Sequence, residues 1–168
     1  LADCGALPVL IPELAVSQGI AALARIAPHT QRVDARWAAL LADLPESRAL
    51  EACERLKAPG RFTLLAAKVS AWRAAVKTGL RDAEACLTLL MGLDALRRDE
   101  PFEGFCDALL AMEQRAPEAG QSIALLRAAR AAAQAVKATD VAHVGLTGPD
   151  LGAAIRSAQV ERIRATLE

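Results

Sequence analysis

Tyrosine is absent from this chain of 168 residues, and only three Phe and two Trp stand in for it. β-Branched residues are also scarce, so strands have little to draw on. Ala, Leu and Arg dominate instead, and these good helix formers argue an all-α fold before any pattern is read. Two histidines, His29 and His143, are the whole supply of imidazole. Neither has a sequence neighbour that would orient it as a base. The four cysteines, Cys4, Cys53, Cys86 and Cys106, form no C-x-x-C pair. That spacing argues against a zinc site or a disulfide framework and for reduced thiols packed as small hydrophobes. No apolar run approaches about 18 residues without a charge, so no membrane span is expected. No signal peptide is visible. A Gly-rich phosphate loop, an H-E-x-x-H helix and closely spaced carboxylates in a metal-binding context are all missing. The expectation is a cytoplasmic chain with no catalytic residue, no metal site and no cofactor of its own.

Hydrophobic residues make up 54% of the sequence, enough to bury the core of one domain. The formal net charge is zero, which conceals a strong segregation. Residues 1–54 carry four basic and seven acidic side chains. Residues 55–81 carry seven basic side chains (Arg55, Lys57, Arg61, Lys68, Arg73, Lys77 and Arg81) and no acid. Residues 82–118 return to three basic and nine acidic, and residues 119–168 carry six basic and four acidic. A basic segment therefore sits inside a neutral total.

The hydrophobic pattern predicts eight or nine short-to-medium helices joined by connections of a few residues. Leu1–Cys4 reads as a last helical turn, with Gly5 left-handed after it and Pro8 and Pro12 fixing an extended link. Helices are expected over Ser17–Ile26, from a cap at Asp34 to Leu44, and from Pro45 or Glu46 to Lys57. After Pro59-Gly60, residues Phe62, Leu65, Val69, Trp72 and Val76 alternate at spacings of three and four and form one stripe. Gly79 ends that helix, and Asp82 caps the next, which buries Cys86, Leu87, Leu90 and Leu93. Pro101 opens a helix with Phe102, Phe105, Cys106, Leu109 and Leu110 on its apolar face. An Ala-rich helix follows over Gln121–Val136, with Ile123, Leu126, Ala129, Ala133 and Val136 inward. A short turn capped by Thr139 or Asp140 reaches His143. The loop Gly145–Pro149 leads to a last helix ending near Leu167, with Gly152 read as a close-approach position.

The basic segment is the strongest chemical signal. Sixteen of the twenty basic residues are Arg, whose planar fork suits phosphate. Arg61, Lys68, Arg73, Lys77 and Arg81 are candidate RNA contacts able to follow a phosphate backbone. The loop before the last helix offers a helix N-terminus to an anion, with Arg156 and Arg162 beside it. The competing interpretation is that these side chains pair with the acidic helices of 82–118 or spread their stems over a buried helix.

Two stretches carry a family resemblance. Asp3-Cys-Gly-Ala-Leu-Pro-Val-Leu-Ile-Pro-Glu-Leu14 resembles the segment after the neck helix of bacterial CCA-adding tRNA nucleotidyltransferases. Gly145-Leu-Thr-Gly-Pro-Asp-Leu-Gly-Ala-Ala-Ile-Arg156 resembles their C-terminal G-x-x-G-x-x-I/L-G-x-x-I pattern. Between them, Arg36-Trp-Ala-Ala-Leu-Leu-Ala-Asp-Leu44 is similar to the segment that in many relatives carries a His-Asp phosphohydrolase pair. Ala42 stands at the His position and only Asp43 remains, so metal-dependent phosphohydrolase activity is not expected. The resemblance implies a C-terminal region, with residues 1–57 a remnant of an HD-like subdomain and 58–168 the body and tail. It implies a catalytic head N-terminal to residue 1 that uses magnesium with CTP and ATP, and tRNA as the partner held by shape and phosphate contacts. Bacterial poly(A) polymerases share the head and neck and are a close alternative. A structural or dimerisation scaffold, with a second copy as partner, is the alternative from a different class.

Overall fold

The computed structural model describes residues 3–14, 16–77, 80–113, 117–141 and 148–168, with backbone alone for residues 16, 17 and 117–119. Among the described residues there are ten helices and no strand. They are α1 (Ala6–Leu10), α2 (Val16–Ile26), α3 (Val33–Leu41), α4 (Glu46–Arg55), α5 (Gly60–Lys77), α6 (Ala83–Gly92), α7 (Asp99–Met112), α8 (Pro117–Gln134), α9 (Ala138–Val141) and α10 (Gly148–Leu167). The all-α expectation holds. His143, Gly79 and the loop residues Gly145–Thr147 lie outside the described residues.

Three expectations are corrected. The link through Pro8 is helical: Gly5, at φ 71, opens α1, and Pro8 is its third residue. A first-turn position has no intrahelical acceptor for its N–H, so proline is tolerated there. Asp34 does not cap α3. Arg32 holds the cap position, and Asp34 lies inside the first turn, where its carboxylate accepts from the Ala35 amide at 3.0 Å. Gly152 is no close approach, because a Cβ there would meet nothing within 4 Å. Elsewhere the reading is close. Asp82 caps α6 by accepting from the Glu84 amide at 3.1 Å, and Cys53, Cys86 and Cys106 are buried as expected, whereas Cys4 departs from the expectation and is exposed. Burial pushes the Cys86 thiol up to about 11, with Asp82 adding to it, and the Cys106 thiol up to about 12. Both stay protonated and inert near neutral pH.

One core runs the length of the molecule, from Leu7 and Ile11 through Phe102, Phe105 and Leu90 to Val160 and Ile163. The helix α5 is its axis, packed against α3, α4 and α7. On α5, Leu65, Val69 and Val76 are buried as the stripe predicts, and Phe62 and Trp72 are half-buried. The helices α3, α5 and α7 run in the same direction. Ser70, late in α5, donates to the carbonyl of Leu41 at the end of α3 at 3.2 Å. Arg73 reaches Glu113, which caps the end of α7. The starts of the three helices meet at the other side of the molecule, around Asp34, Gly60 and Pro101. The remaining helices close the array. The helix α10 lies on α8 and α6, where Gln159 donates to the Ala133 carbonyl at 3.4 Å. Arg130 of α8 sits 4.8 Å over the Phe102 ring and donates to the Ala95 carbonyl at 2.6 Å.

Candidate nucleic-acid interface

The common direction of α3, α5 and α7 gives the molecule two chemically different ends. At the carboxyl ends, helix dipoles and exposed carbonyls favour cations. Arg73 fills that role. Its Nε donates to Glu113 Oε1 at 2.7 Å and its Nη1 to Asp43 Oδ1 at 2.8 Å. Lys77 Nζ lies 3.3 Å from Glu113 Oε2. The Arg73 side chain keeps 17% of its exposure and Glu113 keeps 9%. Burial opposes ionisation of Glu113, but the hydrogen bond and charge of Arg73, together with Lys77, outweigh it and hold the carboxyl below its ordinary value. Asp43 therefore faces a guanidinium. Among the described residues no group of three or more His, Cys, Asp or Glu is placed to hold a metal ion. The donor set at Asp43 does not fit one.

The structure divides the seven candidate contacts. Lys68 reaches Glu46 at 3.4 Å and its stem covers Gly92, so both it and Arg73 are tied into the fold. Lys77 shares Glu113 and is half-exposed. Arg156, on α10, lies 3.6 Å from Glu84 of α6 and donates to the Met91 sulfur at 3.2 Å. Arg73 and Lys77 are thus gathered by one carboxylate, and Arg156 by another on a different helix. Arg61, Arg81 and Arg162 are exposed and, among the described residues, have no carboxylate within ion-pair distance. The guanidinium of Arg61 lies 5.2 Å from the Phe62 ring centre.

At the amino ends of the same three helices is a cleft of about 490 Å³ that includes Arg32, Arg61 and Arg98 with Asp34 and Glu100. Sequence reading placed Arg61 on a phosphate-following edge and missed Arg32 and Arg98. Each of those two precedes a helix at its cap position, and no linear spacing connects them. Arg32 clasps Asp34, with Nη2 at 2.9 Å and Nε at 3.3 Å. Burial resists the charge on Asp34, but Arg32 and the Ala35 amide keep its carboxyl below the ordinary value. Gly104 makes this possible, because a Cβ there would lie 2.6 Å from Arg32 Nη2.

No family model matches the chain, and no solved structure matches it. Curated relatives do. A CCA-adding enzyme of Pseudomonas putida strain W619 is 36% identical over 167 residues, covering 98% of this chain and 45% of that protein. The Multifunctional CCA protein of Pseudomonas putida strain KT2440 is 37% identical over 168 residues, covering 98% and 46%. A CCA-adding enzyme of Coxiella burnetii strain RSA 493 is 29% identical over 175 residues, covering 99% and 44%. The chain spans about half the length of the curated relatives it matches. Nearly all of this chain is therefore similar to part of CCA-adding enzymes.

Proposed function

We propose that this chain is the C-terminal region of a CCA-adding tRNA nucleotidyltransferase and holds tRNA while a catalytic head, elsewhere in the same polypeptide, extends the 3′ end. The observation that carries this reading is the end-to-end similarity to CCA-adding enzymes across roughly half their length. CTP, ATP and magnesium belong to the head in this scheme. Here the one remaining His-Asp carboxylate is occupied by Arg73. The work of this region is then binding and orientation by phosphate contact and shape.

Within that reading, the exposed Arg61, Arg81 and Arg162 are the principal phosphate contacts. Lys77 and Arg156 can also reach solvent, with side chains 53% and 46% exposed. Arg73 and Lys68 contribute chiefly by fixing α5. A scaffold role without RNA contact is favoured by one specific observation: Lys68, Arg73 and Lys77 all meet carboxylates of their own chain.

The deciding experiment is tRNA binding at two salt concentrations. The tRNA-holding reading expects affinity that falls steeply with salt, by roughly one counterion per phosphate contact. Charge reversal of Arg81 and Arg162 should weaken it further. Absence of binding at low salt would leave the scaffold reading.

A further inference from the structure

We propose that the cleft at the amino ends of α3, α5 and α7 is a binding site for a nucleotide-sized phosphate ester, with the phosphate at Arg61 and Arg98. Its volume of about 490 Å³ falls in the range of small-molecule sites, which run from roughly 300 to 1,000 Å³. Its charge is divided in a way that leaves cations over. Asp34 is paired by the two bonds from Arg32, with Arg61 adding a longer-range attraction. Arg61 and Arg98 are exposed and, among the described residues, have no carboxylate within ion-pair distance. Glu100 is the one carboxylate of the lining not paired by an arginine, and it opposes them. The helices α5 and α7, of 18 and 14 residues, add the positive ends of their dipoles.

Part of the lining is apolar. Leu64 and Pro101, both partly exposed, line the cleft beside the arginines, which suits a flat, weakly polar base better than bare inorganic phosphate. The arginine fork reads phosphate oxygens in pairs, and its planar face also stacks on aromatic rings. The ligand class is therefore a phosphate with an aromatic group attached. It could be a free mononucleotide or one nucleotide of an RNA strand. The cleft is separate from Asp43, which lies beyond the opposite end of α3. It goes beyond the tRNA-holding role and stands whether or not the chain binds tRNA.

Titration of the whole chain with AMP, adenosine and inorganic phosphate, followed by calorimetry, tests it. AMP should saturate, phosphate should bind more weakly, and adenosine should not bind. The double variant Arg61→Ala with Arg98→Ala should weaken AMP at least about tenfold. Glu100→Gln should tighten it severalfold, a gain that a merely structural role for these residues would not produce. Arg25→Ala, on the exposed side of α2, serves as the control and should leave AMP binding unchanged. A short oligonucleotide that displaces AMP identifies the source as RNA, and failure to displace it identifies a free nucleotide; both support the site. No saturation by ~10 mM AMP, or unaltered affinity in a double variant of native helicity, overturns it. Because no tRNA is used, that failure leaves the tRNA-holding reading standing.

Discussion

The two ends of the α3, α5 and α7 array use the same side chain in opposite ways. Near the carboxyl ends, Arg73 is drawn in by Asp43 and Glu113, and it is consumed as structure. At the amino ends, Arg61 and Arg98 face positive dipole ends and, among the described residues of the lining, one carboxylate without an ion pair, Glu100. They remain available to an outside anion. An arginine in a basic run is thus not informative by type. What matters is whether carboxylates of the same chain reach it first and which pole of a helix it meets.

Breaking the carboxyl-end network should have the largest effect. Glu113→Ala removes the shared acceptor of Arg73 and Lys77 and leaves a mostly buried guanidinium short of a partner. The expected loss is about 2–4 kcal/mol in urea unfolding. A loss within error would mean that Asp43 and solvent compensate fully, and that the two ends do not differ as described. Asp43→Ala, at a 44% exposed carboxylate, should do less.

The pH dependence follows with a smaller amplitude. The folded-state pKa of Glu113 is depressed below its ordinary 4.5, so its stabilisation is fully present above 4.5 and is lost as pH falls through the lower folded value. Asp34 behaves in the same sense from its ordinary 3.8. Acid unfolding of Glu113→Gln should therefore show a shallower pH slope below about 4.5 than the parent. An identical slope would remove Glu113 from the acid response.

Gly104→Ala sharpens the amino end. A methyl 2.6 Å from Arg32 Nη2 must displace the guanidinium from Asp34. The arginine tip is flexible, so the expected loss is about 1 kcal/mol, with AMP binding altered as the cleft rearranges. The smallest effect belongs to Arg61→Ala and Arg98→Ala, whose exposed side chains hold no ion pair among the described residues. Their melting temperatures should match the parent, even where ligand binding does not.

The helix inventory was legible because its signals are local. The stripe from Leu65 to Val76, the cap at Asp82 and the break at Pro59-Gly60 each act within a turn or two. The failure at Pro8 has the same origin. Proline reads as extended or as a first-turn residue with equal ease, and only the helical geometry of Ala6–Leu10 selects between them. The site was half legible. The basic run named Arg61 and Arg73 together, yet one ends in the cleft and the other in an ion-pair network. Arg32 and Arg98, 66 residues apart by number, share no motif, and the cleft that joins them arises from packing.

The sequence by itself determined the helical class, the buried stripes and the similarity to CCA-adding enzymes, because composition, periodicity and alignment survive without coordinates. Tertiary structure alone decided which cations are spent and which are free. That outcome depends on three helices running the same way, so that their like poles gather at opposite ends and sort the charged side chains between them.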